Sequence, residues 1–370
     1  MAIDYRSINS LTMVDSFPLP RINELLLTVG RAKYISSFDA SSGFYQIAMH
    51  PESKEYTAFC THSGQYQFTR MSFGLVNATE TYQRVINIVL KPCFGFASAF
   101  VDDISTFSLD WNSHLQHIDK VLDVVERNGM TLKYKKSNFG QRYIRYLGFI
   151  IGQNEHKPDP ENLKAIEKLQ FPKTKKQMRS LLGLMNYYRT YCDHMAERVK
   201  PLNEMIRKNK PTILIPTKVE IKAFEEIKRC LTTAPILQCP NYDYDFIIQS
   251  DASLIAIGCA LSQEIDGLER PISYGSATLT ETQKRWTITE LEAYSLIFGL
   301  LKFDAMIYGR RIILITDHSA LQYIRDSKPT SPKLIRWSLA LSRYNIVEIR
   351  HKAGIHNTNV DSLSRLIAEV

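Results

Sequence analysis

The segment AFVDDISTFS, residues 99–108, sets Asp102 and Asp103 side by side between apolar runs. The pattern on either side predicts two short strands, 97–101 and 104–107, which leaves the two carboxylates at the turn of a hairpin with buried flanks. Two unit charges about 4 Å apart repel by roughly 4 kcal/mol at an effective dielectric near 20. A fold that keeps such a pair places a cation between them or gives up one charge to a proton. The plain alternative is a polar turn, since Asp accepts turn geometry.

The rest of the chain must supply the context. Short apolar runs in KYISSFDA, FYQIAMH, YTAFCT and QYQFTR predict strands between residues 32 and 69. Tyr82, Val85, Ile86, Val89 and Leu90 then fall at helical spacing, ending before Pro92, and residues 112–128 repeat that period up to Gly129. Strands are expected around 131–134 and 144–151. After Gly152 the chain turns basic and helical: Asp159 caps a helix with Pro160 at its first position, and Thr174/Gln177 and Thr217/Glu220 fit capping boxes. TTAPILQCPNYD reads as a linker. Beyond it come strands in YDFIIQSD, AIGCALSQ and RPISYGS, a long helix over 280–303, a strand in RIILITD, another near 345–350 and a C-terminal helix. These shifts divide the 370 residues into 1–152, 153–235 and 236–370, an α+β and α/β multidomain chain.

A third acid changes the reading of the hairpin. In ISSFDASSGFYQI, Asp39 ends an apolar strand. A strand-end Asp with an Asp pair at a turn is a ligand set for two divalent ions in phosphoryl transfer. Mg²⁺ suits it, being held by one or two carboxylates plus substrate phosphates.

SSFDASSGFYQIAMHPESKEYTAF, YQFTRMSFGLVNATETYQRVIN, AFVDDISTFS and YLGFIIG with KPDPENLKAIEKLQFPKTKKQMRSLLGLMNYYR resemble successive blocks of the reverse transcriptases of gypsy-like (Metaviridae) LTR retrotransposon polyproteins, over essentially the whole chain. The resemblance implies a right-hand polymerase of partial fingers, palm and thumb, followed by an RNase H domain with a mixed sheet. It makes Asp39 and Asp102 metal ligands and Asp103 the adjacent acid of the Y-x-D-D turn, with Phe100 standing where the family usually has Tyr. Phe44 matches the aromatic that excludes a ribose 2′-hydroxyl, Phe73 the floor of the nucleotide pocket and Gln83 the helix behind it. By themselves Phe44 and Phe73 read as core packing. The family has further finger strands before IDYRSIN that grip the triphosphate; these would lie ahead of Met1, an expected truncation of the fingers that favours hybrid cleavage over polymerisation.

The same resemblance implies a second carboxylate set at Asp251, Asp317 and Asp361, completed by a Glu on the long helix. Glu290 and Glu292 compete, because residues two apart on a helix do not face the same way. Ungapped alignment to Tyr308-Gly309 favours Glu292; TELEA keeps Glu290 in view. His351, ten residues before Asp361, matches a His that assists metal movement and product release.

The implied activity is RNA-directed DNA synthesis joined to hydrolysis of RNA in a hybrid, by two-metal phosphoryl transfer with two Mg²⁺ per site and Mn²⁺ as a substitute. The implied partners are RNA template, DNA primer, RNA–DNA hybrid and dNTPs, with a homodimer compatible and no membrane. The rivals are a retroelement remnant that binds nucleic acid without catalysis and an RNase H-only enzyme. Composition agrees with a polyanionic partner: 46 Lys+Arg against 38 Asp+Glu give a formal charge of +8. Basic residues interleave with aromatics in LKYKKSNFGQRYIR and FPKTKKQMRS. Cys60, Cys93, Cys192, Cys230, Cys239 and Cys259 show no Cys-x-x-Cys spacing and read as buried thiols of a reducing compartment. With no signal-like N-terminus, the expected location is intracellular, in a cytoplasmic retroelement particle or the nucleus.

Overall fold

The computed structural model describes residues 3–317 and 332–351. The chain divides into two compact units, Met1–His156 and Lys157–Val370. No helix among the described residues is long and apolar enough to cross a membrane.

The first unit is built on a four-stranded sheet in the order Ala97–Phe100, Asp103–Ser108, Tyr34–Asp39, Asn138–Gln141. The Tyr34–Asp39 strand runs antiparallel to Asp103–Ser108, pairing Phe38 with Ile104 and Asp39 with Asp103. Helices Ala78–Val89 and Trp111–Arg127 cover the sheet, burying Tyr82, Ile86, Val121 and Val125 against Phe38 and Ile104. Each such buried side chain contributes about 1.5–3 kcal/mol. His114 ties the second helix to the sheet, its fully buried ring lying 2.9 Å from both Ser36 Oγ and Ser108 Oγ.

Two sequence expectations change here, and two helices appear that the sequence did not signal. FYQIAMH is not a strand: Gly43–Gln46 is a 3-10 turn, entered through Ser42 at φ 53°, and only Ala48 bridges to Arg70. Residues 131–134 make only the isolated bridge of Leu132 to Ala40; the third partner of the sheet is instead Asn138–Gln141. A 3-10 turn at Tyr134–Lys136 intervenes, because Lys133 and Lys136 both turn toward Asp39. The helices Arg6–Leu11 and Ile22–Gly30 were not legible.

In the second unit, helices Pro160–Glu167, Lys175–Tyr187, Met195–Met205 and Lys218–Thr232 come first. Asp159 caps the first by accepting from Glu161 N, and both capping boxes form as the sequence predicts. The cysteine reading is corrected: Cys192 and Cys230 form a disulfide between the loop before Met195 and the last of these helices, and Cys60 is exposed. The spacing of 38 residues carries no signal for that pairing. That loop and the start of the helix after it dock on the following sheet, where Arg189 Nη2 and Ala196 N donate to Ser276 O and Oγ, each at 2.9 Å.

That sheet has five strands in the order Leu268–Thr278, Ala256–Ile265, Phe246–Ala252, Arg311–Thr316, Asn345–His351. The first three run antiparallel and the last two join in parallel. Helix Ile288–Ile307 lies on one face and is buried nearly all round, with Leu296, Leu300, Phe303 and Ile307 against Phe246, Ile248 and Leu314. It starts later than expected because Thr287 and Glu290 form a capping box there, while Thr280 and Gln283 close a separate turn before it. Helix Pro332–Leu341 was not predicted. The expected C-terminal helix lies outside the described residues.

Two candidate carboxylate sites

In the first unit, strand register brings Asp39 opposite Asp103, and cross-strand partners share a face. The turn is Val101 and Asp102, one residue earlier than the sequence pattern suggests, because Asp103 is already paired in its strand with Asp39 and Phe100. Val101 sits at φ 51°, a costly conformation for a β-branched residue. It is held there by Gln83, whose Oε1 accepts from Val101 N at 2.8 Å while its Nε2 donates to Ala99 O at 3.0 Å and to Asn87. Gln83 is fully buried in the helix behind Phe73 and braces the backbone under the Asp pair. Ala40 N donates to Asp102 O at 3.0 Å, locking the turn to the Asp39 strand.

The Asp39 carboxylate lies 3.2 Å from Lys133 Nζ through one oxygen and 3.2 Å from Lys136 Nζ through the other. Burial, then the charges of Asp39 and Asp103, raise the pKa of Asp102, with Lys133 opposing. One oxygen of Asp102, Oδ1, is buried without a hydrogen-bond partner. The three acids do not form a tight trio; among the described residues, a different set does. Phe44 lies half-buried, its ring centre 4.9 Å from Phe73 and 5.7 Å from Tyr82, and Phe73 is 46% exposed. Phe100 is half-buried in the hairpin. The lysine contacts were missed because Lys136 and Asp39 stand 97 residues apart and only the chain reversal joins them.

In the second unit, Asp251 ends the central strand, Asp317 follows the parallel strand beside it, and Glu292 projects from the long helix. One ligand atom from each lies within 4.8 Å of the other two. Glu292 is 4% exposed and its Oε2 lacks a hydrogen-bond partner. Burial, then Asp317 and Asp251, push its pKa up to about 8, against a hydrogen bond from the Ala252 backbone. Glu290 is spent differently: it accepts from Thr287 N at 3.1 Å as the helix cap and pairs with Lys333 at 3.4 Å. The two glutamates therefore divide as helix geometry requires. A crowd of oxygen ligands with an unpartnered buried carboxylate oxygen is a donor set that fits a hard divalent cation. His351 ends the last strand with Nε2 2.8 Å from Asp317 O. Asp361 lies outside the described residues.

Residues 1–151 match the family described as reverse transcriptase (RNA-dependent DNA polymerase), and residues 241–344 the RNase H-like domain found in reverse transcriptase. The chain is 34% identical to the retrovirus-related Pol polyprotein from transposon 297 of Drosophila melanogaster over its whole length. It is 32% identical to that from transposon gypsy of the same organism, over 99% of the chain. It spans 34% and 36% of those relatives' own lengths. Among solved structures it is similar to the foamy viral protease-reverse transcriptase in complex with RNA/DNA hybrid, at 25% identity and a TM-score of 0.74, covering 95% of this chain and 48% of that one. The same enzyme's dRH form in complex with double-stranded DNA gives a TM-score of 0.82, covering 95% of this chain and 62% of that one. With an Asp-bearing hairpin in one unit, a carboxylate-lined mixed sheet in the other and these matches along the chain, the protein carries a region of the reverse transcriptase family followed by one of the RNase H-like family found in reverse transcriptase, and is similar throughout to gypsy-like retrotransposon Pol polyproteins.

Proposed function

We propose that the chain cleaves the RNA strand of an RNA–DNA hybrid at Asp251, Glu292 and Asp317 and extends a DNA primer on an RNA template at Asp39, Asp102 and Asp103. The observation that carries the reading is the convergence of Asp251, Glu292 and Asp317 within 4.8 Å, with Glu292 buried. Such crowding costs free energy unless a cation or a proton relieves it, so its persistence in a packed core points to a metal-dependent role. Two Mg²⁺ ions per site, when bound, would supply an activated attacking oxygen and a stabilised leaving group.

The protein's own groups do the holding. Asp251 and Asp317 come from adjacent parallel strands, so their spacing is set by the sheet, and Glu292 is fixed by a helix whose every turn is packed. His351, whose Nε2 donates to Asp317 O, lies beside this carboxylate set, and its proposed role is to assist metal movement and product release. In the first unit, Phe44 and Phe73 offer stacking area for a nucleotide, with Phe44 the group that would exclude a 2′-hydroxyl, and Lys133 and Lys136 provide cations beside Asp39. RNA template, DNA primer, hybrid and dNTPs are the proposed partners. The domain reading that accompanies this is fingers and palm over 1–152, helical thumb over 153–235 and RNase H over 236–370.

The test is a labelled hybrid incubated with the 370-residue chain and Mg²⁺. Asp317→Asn should abolish cleavage and leave hybrid binding largely intact, since it removes a ligand charge and no basic surface. Undiminished cleavage by Asp317→Asn would refute the assignment.

A further inference from the structure

His114, fully buried in the first unit, stands in the middle of a chain of hydrogen bonds that ends at a second histidine. Ser36 Oγ accepts from Gly140 N at 2.9 Å and lies 2.9 Å from His114 Nε2. His114 Nδ1 lies 2.9 Å from Ser108 Oγ, and the same hydroxyl lies 2.8 Å from His117 Nδ1. Ser36 belongs to the strand that ends at Asp39 and Ser108 to the strand that starts at Asp103, so His114 bridges the two strands that carry the first carboxylate set. Gly140 ties in the third strand. Each hydroxyl and each neutral imidazole has one proton to give, so the arrangement that finds an acceptor for every proton between these groups runs in one direction. Ser36 donates to His114 Nε2, His114 Nδ1–H donates to Ser108, and Ser108 donates to His117 Nδ1. A further proton on either ring turns an acceptor into a donor. One hydroxyl is then left with nothing to donate to, and both Ser36 and Ser108 are buried.

Resting on the reading of Asp39, Asp102 and Asp103 above, we infer that His114 is a positioning residue for that site: with Ser36 and Ser108 it clamps the two strands together, and the clamp holds only while His114 and His117 are both uncharged. The surroundings suit neutral rings. Tyr34 and Trp111 flank His114, each ring centre 6.2 Å away, and Phe96 stacks on His117 at 3.9 Å. Burial, then His117, lowers the pKa of His114; burial also lowers that of His117, with Asp110 opposing and Lys120 adding to the effect. Asp110 and Lys120 are thus the charges that act on the pair, and strand Asn138–Gln141 brings no ionisable side chain to it. Opening the strands exposes rings with the ordinary value of about 6.5. The clamp is therefore at full strength above that pH and weakens below it, by up to about ten-fold in the opening equilibrium for each ring at about pH 5.5.

The test is amide hydrogen exchange on the full chain at about pH 7.5 and about pH 5.5, either side of the ordinary imidazole value and corrected for the intrinsic exchange rate. It compares the parent with His114→Gln, whose amide keeps a donor and an acceptor but does not titrate. Protection of Tyr34–Asp39 and Asp103–Ser108 should fall about ten-fold further in the parent than in His114→Gln. Primer extension at the lower pH, relative to the higher, should fall further in the parent as well. His156, also buried in this unit, is present in both chains, so its own response to pH cancels. Equal falls in protection overturn the clamp. If protection differs and the fall in extension does not, His114 does not position the site and the inference is overturned at that point. Extension by neither chain at either pH refutes the reading of the first site and the positioning role with it, while the exchange result still decides the clamp. Should His114→Gln lose the native circular dichroism, His117→Asn, which removes the titrating ring at the half-buried end of the chain of bonds, carries the same comparison.

Discussion

Glu292, 4% exposed between two aspartates, shows what a buried, crowded carboxylate costs a fold. Its folded-state pKa of about 8 stands above the ordinary 4.5, so metal-free protein has the full stabilising effect below about pH 4.5 and loses it as pH rises toward 8. Glu292→Gln removes a crowded charge while keeping the shape. In chelator at pH 8 it should raise the unfolding midpoint of the second unit by a few degrees, while lowering hybrid cleavage about a hundred-fold or more; a lowered midpoint measured by calorimetry would contradict the crowding argument. Glu290→Ala should keep most of the cleavage. His156 gives the opposite sign: burial pushes its pKa down to about 4 from 6.5. The unfolded chain then binds the extra proton between those values, so stability is full above about pH 6.5 and falls toward pH 4, by at most about 3 kcal/mol. Urea melts at pH 7.5 and 5 should show this loss, and His156→Leu should flatten it. Of these residues the sequence offered Glu292 by register; the burial of His156 left no mark in the pattern around it.

At the scale of elements, the Asp hairpin depends on a helix that precedes it in the chain. Gln83 spans the two by accepting from Val101 N and donating to Ala99 O, and this holds Val101 at positive φ. Gln83→Leu leaves a polar group of the strained turn without its partner, a cost of about 1–3 kcal/mol. It should lower primer extension at least about ten-fold and leave hybrid cleavage, made by the other unit, near the parent's; equal loss of both activities would mean general misfolding instead. The capping boxes at Thr174 and Thr217 were legible, because a cap is a local bond between residues three apart, whereas that at Thr287 was not read and the long helix was expected to start earlier. The stretch 131–136 was not, because its strand potential yields to an attraction between its lysines and Asp39, a contact the local pattern does not contain.

At the scale of the molecule, the two carboxylate sites lie in separate compact units, each with its own core. Asp102→Asn should therefore remove extension and spare cleavage, and Asp317→Asn the reverse, when both are assayed on one preparation. The Cys192–Cys230 disulfide staples the loop that docks on Ser276 to helix Lys218–Thr232. Closing a loop of this length is worth about 3–4 kcal/mol in the chain-entropy account. Dithiothreitol, or Cys230→Ser, should lower the midpoint of the second unit's unfolding transition and leave the first unit's unchanged; no shift in calorimetry would show that the link adds nothing to stability.

What the sequence alone determined about this protein is whatever period and adjacency encode: strands that end in or beside aspartates, helices marked by their caps, the hairpin that carries Asp102 and Asp103, and the family that those blocks resemble. Tertiary structure alone decided which distant groups meet. It set Glu292 inward and Glu290 to capping, drew Lys133 and Lys136 to Asp39, bonded Gln83 to the underside of a turn, and joined Cys192 to Cys230. The physical reason is common to all four. Local pattern fixes which face of an element a residue occupies, whereas charge neutralisation, hydrogen-bond satisfaction and cross-linking depend on what lies opposite that face, and only the packed chain supplies it.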